Sequence, residues 1–148
     1  MKIRFQADAD IDPDIRKGLL RREPSIDFRS AAGTIPEGTP DPAVLRIAAE
    51  DGRVLVSGDI RTMSVHFKNF VASRESPGVL LIPSARSIGA AIEGLLFVWL
   101  NWDPEDLHNQ VQWLPYGTAH LSEAQLAVRF AVPLEVLKTV LQPDLAGL

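Results

Sequence analysis

"VLVSGD", residues 54–59, sets three apolar residues in succession and then stops at Ser-Gly-Asp. A strand with one wet face alternates apolar and polar side chains, whereas an uninterrupted apolar strand is covered on both faces, as in a parallel sheet flanked by helices. "PGVLLIP", residues 77–83, has the same character and is bounded by prolines. Helical patterns separate these runs. "PDPAVLRIAAEDG", residues 40–52, has Asp41 before Pro42, apolar Val44, Leu45, Ile47 and Ala48, and Gly52 as its stop. "TMSVHFKNFVASRE", residues 62–75, spaces Met63, Phe67, Phe70 and Val71 for one helical face.

Outward from this centre the alternation continues. "KIRFQA", residues 2–7, carries Ile3 and Phe5 in period two and reads as a first strand. "DPDIRKGLLRREP", residues 12–24, begins with an Asp-Pro helix start, puts Ile15, Leu19 and Leu20 on one face and ends at Pro24. "SIDFRS", residues 25–30, is a weaker strand, and "AAGTIPEGT", residues 31–39, has the Gly and Pro density of a loop. "ARSIGAAIEGLLFVWLNW", residues 85–102, predicts a long, mostly buried helix. "DPEDLHNQ" then starts a short one, and "VQWLP", residues 111–115, is a last strand. The expected fold is α/β, a three-layer α/β/α arrangement around a central, mainly parallel sheet. Residues 1–115 form the domain. Residues 116–148 are expected to form a C-terminal helical tail, interrupted at Pro133, whose Leu121, Leu126, Phe130, Leu134, Leu137 and Leu141 suit packing on a partner or in a homodimer.

Composition narrows the function. The 148 residues include no cysteine, which excludes disulfides, thiolate metal sites and cysteine nucleophiles and fits a cytoplasmic setting. The first residues do not read as a secretory signal, and the longest apolar run, "IGAAIEGLLFVWL", is broken by Glu93 and too short for a bilayer. The net charge of −4 gives no whole-molecule attraction for nucleic acid. No nucleophile elbow, phosphate-binding Gly-rich loop or dinucleotide fingerprint is present.

The chemistry-bearing residues are acids at strand ends. Asp8 and Asp10 follow the first strand, Asp59 follows the third, and Asp41 opens the second helix. In a parallel sheet, ligands collect beyond the carboxyl ends of the strands where the strand order reverses. If the first and third strands are neighbours, these carboxylates share a crevice. They then either take up protons or hold a hard divalent cation. The plainer alternative is that Asp12, Asp41 and Asp59 cap the helices that follow them.

"MKIRFQADADI", "PDPAVLRIAAEDGRVLVSGDIRTM" and "SPGVLLIP" together resemble a PIN-like family known only as a domain of unknown function, a branch of the PIN nuclease superfamily. The resemblance covers residues 1 to 115. It implies a ribonuclease dependent on Mg²⁺ or Mn²⁺, with Asp8, Asp41 and Asp59 as catalytic metal ligands and Asp10 as a possible fourth. It also implies an RNA substrate and kinship with VapC-type toxins held inactive by a cognate antitoxin protein. Ser57 would orient a carboxylate. One departure concerns the further acid that PIN nucleases commonly carry after the third aspartate. Here "DIRTM" offers Arg61 and Thr62 instead, so that Thr62 would hold a water and Arg61 would meet a phosphate or neutralise Asp59. A catalytically degenerate module acting by protein or RNA binding is the alternative. A phosphatase-like or response-regulator-like domain would also use acids after the first and third strands, but "GVLLIPS" supplies Ser84 and no lysine.

Other residues invite readings. His66, Phe67 and Lys68 suit either an RNA groove or a solvated face beside a buried aromatic. His66, His108 and His120 share no metal-ligand spacing. Trp99, Trp102 and Trp113 suit the core or an interface, and Glu93 faces either the acidic crevice or solvent.

Overall fold

The computed structural model describes residues 1–83 and 86–114. The expectations for Ser84 and for the tail, including His120 and the dimer-forming leucines, lie outside them. Five short strands, β1 (Phe5–Ala7), β2 (Phe28–Arg29), β3 (Val54–Ser57), β4 (Val79–Leu81) and β5 (Val111–Trp113), form one sheet. Its order is β2-β1-β3-β4-β5, and every neighbouring pair is parallel. Parallel neighbours need a crossover between them. The crossovers carry α1 (Pro13–Arg22), α2 (Asp41–Glu50), α3 (Met63–Val71), α4 (Ile88–Asn101) and the single turn α5 (Pro104–Leu107). "SIDFRS" contributes only two residues to the sheet. It is the edge strand beside β1, and Phe28 is buried there against the Phe5 ring, with centroids 5.8 Å apart.

Side chains alternate across the strands and so feed two cores. Leu55, Val79 and Leu81 pack with Val44, Leu45 and Ala48 of α2 and Met63 and Phe67 of α3. Helix α1 packs on α4 through their buried faces, Ile15 and Leu19 on one and Ala91, Leu95 and Val98 on the other. Gly18 permits this approach, because a Cβ there would stand 2.3 Å from Ile92 Cδ1. The two helix pairs fit the expected three-layer arrangement.

Local signals act as their chemistry dictates. Asp12 caps α1, its carboxylate accepting the Asp14 N–H at 2.9 Å, and Ser87 caps α4 by accepting from Ala90 at 3.0 Å. The second helix is a correction. Asp41 is its first helical residue, Pro40 stands at the cap position, and no side chain caps this end. Glu93 is settled too: it pairs with Arg22 on the exposed side of α1 and α4 and does not line the acidic crevice. Trp99 and Trp102 are buried, Trp99 beneath the Lys2 ammonium at 4.3 Å, whereas Trp113 is half-buried. Phe67 is buried and Lys68 exposed, the pattern of a solvated face beside a core aromatic. His108 pairs with Glu75 on the surface.

The edge of the sheet where the strands begin is knit by charge. Arg53, only 9% exposed, donates to the Phe5 carbonyl at 3.1 Å and to Asp27 at 2.7 and 3.3 Å, and also pairs with Asp51. Asp51 further accepts Arg29 at 2.9 Å, and its carboxyl is held below the usual range, chiefly by the Arg53 hydrogen bond and further by the Arg29 and Arg4 charges. At the same edge Gly78 has φ +117°, a left-handed conformation that suits glycine. A Cβ there would lie 2.2 Å from the Leu107 carbonyl oxygen. Among the described residues no helix is long and apolar enough to cross a membrane.

Candidate functional site

Strand order reverses between β1 and β3, which are hydrogen-bonded neighbours. The chain leaves β1 toward β2 on one side and builds β3, β4 and β5 on the other, so the β1/β3 carboxyl ends open a crevice. Asp8, Asp10, Asp41 and Asp59 all line it. The crevice is a cleft of about 260 Å³, walled on its far side by residues 35–39 of the loop between β2 and α2.

Two hydroxyls stitch three of the four carboxylates to the fold, and Asp10 is held by a backbone N–H instead. Ser57, fully buried at the end of β3, donates to Asp8 Oδ2 at 2.9 Å and accepts the Asp59 N–H at 3.1 Å. Thr62, just before α3, sits 2.7 Å from Asp59 Oδ2 and 2.9 Å from Asp41 Oδ2. A hydroxyl has one proton to give. Thr62 satisfies one carboxylate, and the other contact calls for a proton or a cation on the second carboxyl.

The electrostatics express the same demand. Partial burial pushes the Asp41 carboxyl up, and its contact with Asp59 adds to this while the Thr62 hydrogen bond opposes it. Asp59 is held down, first by the Thr62 hydroxyl and then by the backbone N–H groups of Thr62 and Arg61. The two titrate as a pair, one giving up its last proton late. Asp10 is also pushed up, by desolvation and by the Asp8 and Asp59 charges, against a Gly58 N–H bond of 3.1 Å. Among the described residues, no lysine or arginine is ion-paired with any of the four.

Of the two roles expected for Arg61, neutralisation of Asp59 is not seen among the described residues. Arg61 makes no ion pair with Asp59 among the described residues; its backbone N–H donates to Asp59 Oδ1 at 3.3 Å. The Thr62 N–H does so at 3.2 Å, so Asp59 also organises the turn into α3 as a capping residue would. The Thr62 hydroxyl joins two carboxylates rather than standing free.

Sequence reasoning missed His66 as a neighbour of this site. Its Nε2 lies 4.0 Å from Asp41 Oδ2, and when protonated its charge opposes the upward push on Asp41. The signal was available: Thr62 and His66 are four residues apart around α3 and therefore share a face.

Hard oxygen donors in excess, with no cation among them, are the chemistry that Mg²⁺ or Mn²⁺ takes. Among the described residues, however, no three acids or histidines already stand in chelating geometry. The donor set fits such an ion in kind, and the Thr62 bridge between Asp41 and Asp59 is the contact that chelation would have to open.

Compared with protein-family models, curated proteins and solved structures, the chain matches none. On its own terms it is an α/β protein with a five-stranded, all-parallel sheet and an acidic cleft at the point of strand-order reversal.

Proposed function

We propose that this chain is a PIN-type ribonuclease dependent on Mg²⁺ or Mn²⁺. A single observation carries the reading: four aspartates, from two adjacent strand tips and the start of α2, line one cleft with no lysine or arginine paired to them among the described residues. Asp8, Asp41 and Asp59 would hold the ion, with Asp10 as a fourth oxygen donor. When bound, such an ion lowers the pKa of a coordinated water and stabilises charge on a phosphate. The chain's own residues supply the rest. Ser57 orients the Asp8 carboxylate, Thr62 holds Asp41 beside Asp59, and exposed Arg61 beside the cleft offers a cation to the phosphate backbone of RNA.

Continuing this reading, the protein is the toxin of a bacterial toxin–antitoxin pair, and a cognate antitoxin silences it by covering the cleft. By their sequence pattern, residues 116–148, which lie outside the described residues, would pair two copies of the chain. A chain truncated at residue 116 should then be monomeric in light scattering, and one that stays dimeric would count against the idea.

Calorimetric titration with Mn²⁺ tests the core of the proposal. The wild type should bind, and an Asp8→Ala, Asp59→Ala double variant, shown by circular dichroism to be folded, should bind at least about tenfold more weakly. Labelled RNA should be cut in Mn²⁺ or Mg²⁺ and spared with chelator or with the double variant.

A second reading has its own observation. The Thr62 hydroxyl already bridges Asp41 and Asp59, and no three donors stand ready to chelate among the described residues, which favours a degenerate module that binds RNA or protein without cleaving. Wild-type protein that binds RNA equally with and without Mn²⁺, and never cuts it, would select this reading over the first.

A further inference from the structure

We infer that Gln6 is a positioning residue for the cleft: it fixes the loop that forms the wall opposite the carboxylates, and so decides what the cleft admits. The inference rests on the nuclease reading for its functional half only. Gln6 is completely buried in β1, two residues before Asp8. A buried amide is costly unless its donors and acceptor are satisfied. Its partners are not those of a strand ladder. Nε2 lies 3.2 Å from the Ser30 carbonyl, 3.4 Å from the Thr34 hydroxyl and 2.8 Å from the Ala7 carbonyl, while Oε1 accepts the Arg29 guanidinium. With carbonyls on one side and an arginine N–H on the other, the orientation of the amide is fixed by chemistry.

The segment it grips leads directly into the cleft wall. Thr34 gives its own hydroxyl proton to the Ser30 carbonyl at 2.6 Å, and the Ile35 N–H closes the turn on the Ala31 carbonyl at 2.7 Å. Residues 35–39 then form the far wall. Ser30, Ala31 and Ala32 line a second hollow, of about 250 Å³, which shares Asp8 and Ala9 with the cleft. The gripped turn therefore borders both spaces. A loop with exposed Ala32, Gly33, Pro36, Glu37 and Gly38 has few apolar contacts of its own, and Ile35 is its one fully buried side chain. The amide supplies the remaining restraint from the sheet side.

Gln6→Met keeps the shape and removes the hydrogen bonds; Thr34→Val removes the other end of the grip from the loop. Amide hydrogen exchange of the full chain is read first. Each variant should speed exchange at the Thr34 and Ile35 N–H groups about tenfold, the loss of one buried hydrogen bond, with β3 and β4 unchanged. The double variant should fall short of the sum of the two single ones, because both remove the Gln6–Thr34 contact. Calorimetry should give Mn²⁺ affinity within about twofold of wild type, while the KM for a short RNA rises severalfold at nearly constant kcat. Unchanged exchange at residues 30–39 in both variants would overturn the inference, as would a loss of Mn²⁺ affinity in step with RNA. Should wild-type protein bind neither Mn²⁺ nor RNA, the nuclease reading and the functional half fall together, and the exchange result still decides the clamp.

Discussion

The two edges of this sheet handle charge in opposite ways. Where the strands begin, Arg53, Arg29 and Arg4 are knotted to Asp27 and Asp51, and each charge has a partner of opposite sign. Where they end, Asp8, Asp10, Asp41 and Asp59 face one cleft, and among the described residues the sole basic side chain paired with any of them is His66, 4.0 Å from Asp41. Asp10 and Asp41, whose carboxyls are pushed up, cost stability in their charged forms, a cost common where function uses it. The lower edge holds the protein together. The upper edge is where it would act.

The lower edge should be the more fragile. Gly78→Ala places a Cβ against the Leu107 carbonyl in a backbone conformation that alanine resists, and should cost ~3 kcal/mol or more in urea denaturation or prevent folding altogether. A loss below 1 kcal/mol would mean that the β4–α5 contact yields easily. Arg53→Met removes the knot's central cation, leaving Asp27 without its ion pair while Asp51 keeps Arg29 and Arg4. Because Asp27 and Asp51 remain partly solvated, the cost should be about 2 kcal/mol, below that of a fully buried pair.

At the upper edge, Ser57→Ala should cost ~1 kcal/mol, the net worth of a buried hydroxyl with two partners, and should weaken Mn²⁺ binding because Asp8 loses its orienting bond. Stability lost without any change in Mn²⁺ affinity would make Ser57 purely structural.

The smallest effect distinguishes the edges by sign. The folded Asp10 carboxyl is raised above its usual 3.8, so its charge opposes folding once pH exceeds the raised value, and this penalty vanishes below 3.8. With chelator present, Asp10→Asn should therefore stabilise the protein at neutral pH, and the gain should shrink on acidification. The side chain is exposed, so the gain should be on the order of 0.5 kcal/mol at low salt and less at high salt. Asp51 is depressed below 3.8; its contribution is present above 3.8 and lost as pH falls through the lower folded value. Asp51→Asn should then destabilise at neutral pH and converge on wild type in acid. Urea midpoints across pH 2.5–7 for both variants measure the pair, and differences of the same sign would erase the contrast between the edges.

The sequence by itself determined the alternation of strands and helices, because burial on two faces requires continuous apolar runs such as "VLVS" and "GVLLI", and because an Asp-Pro start such as Asp12-Pro13 marks a helix by local hydrogen bonding. It also put acids at strand ends, since the residue following a strand is fixed by chain order alone. Only the tertiary structure decided which strands are neighbours. That pairing brings Asp8 and Asp59 to one crevice, an outcome of long-range packing that no local pattern encodes. The same holds for Asp41, whose Asp-Pro start reads as a cap until α2 and α3 pack together and Thr62 reaches it. It holds for Gln6, which in sequence is one polar residue inside a strand. In the fold it is the buried link between the sheet and the wall of the cleft, because the Ser30 carbonyl and Thr34 hydroxyl that it reaches lie 24 and 28 positions away.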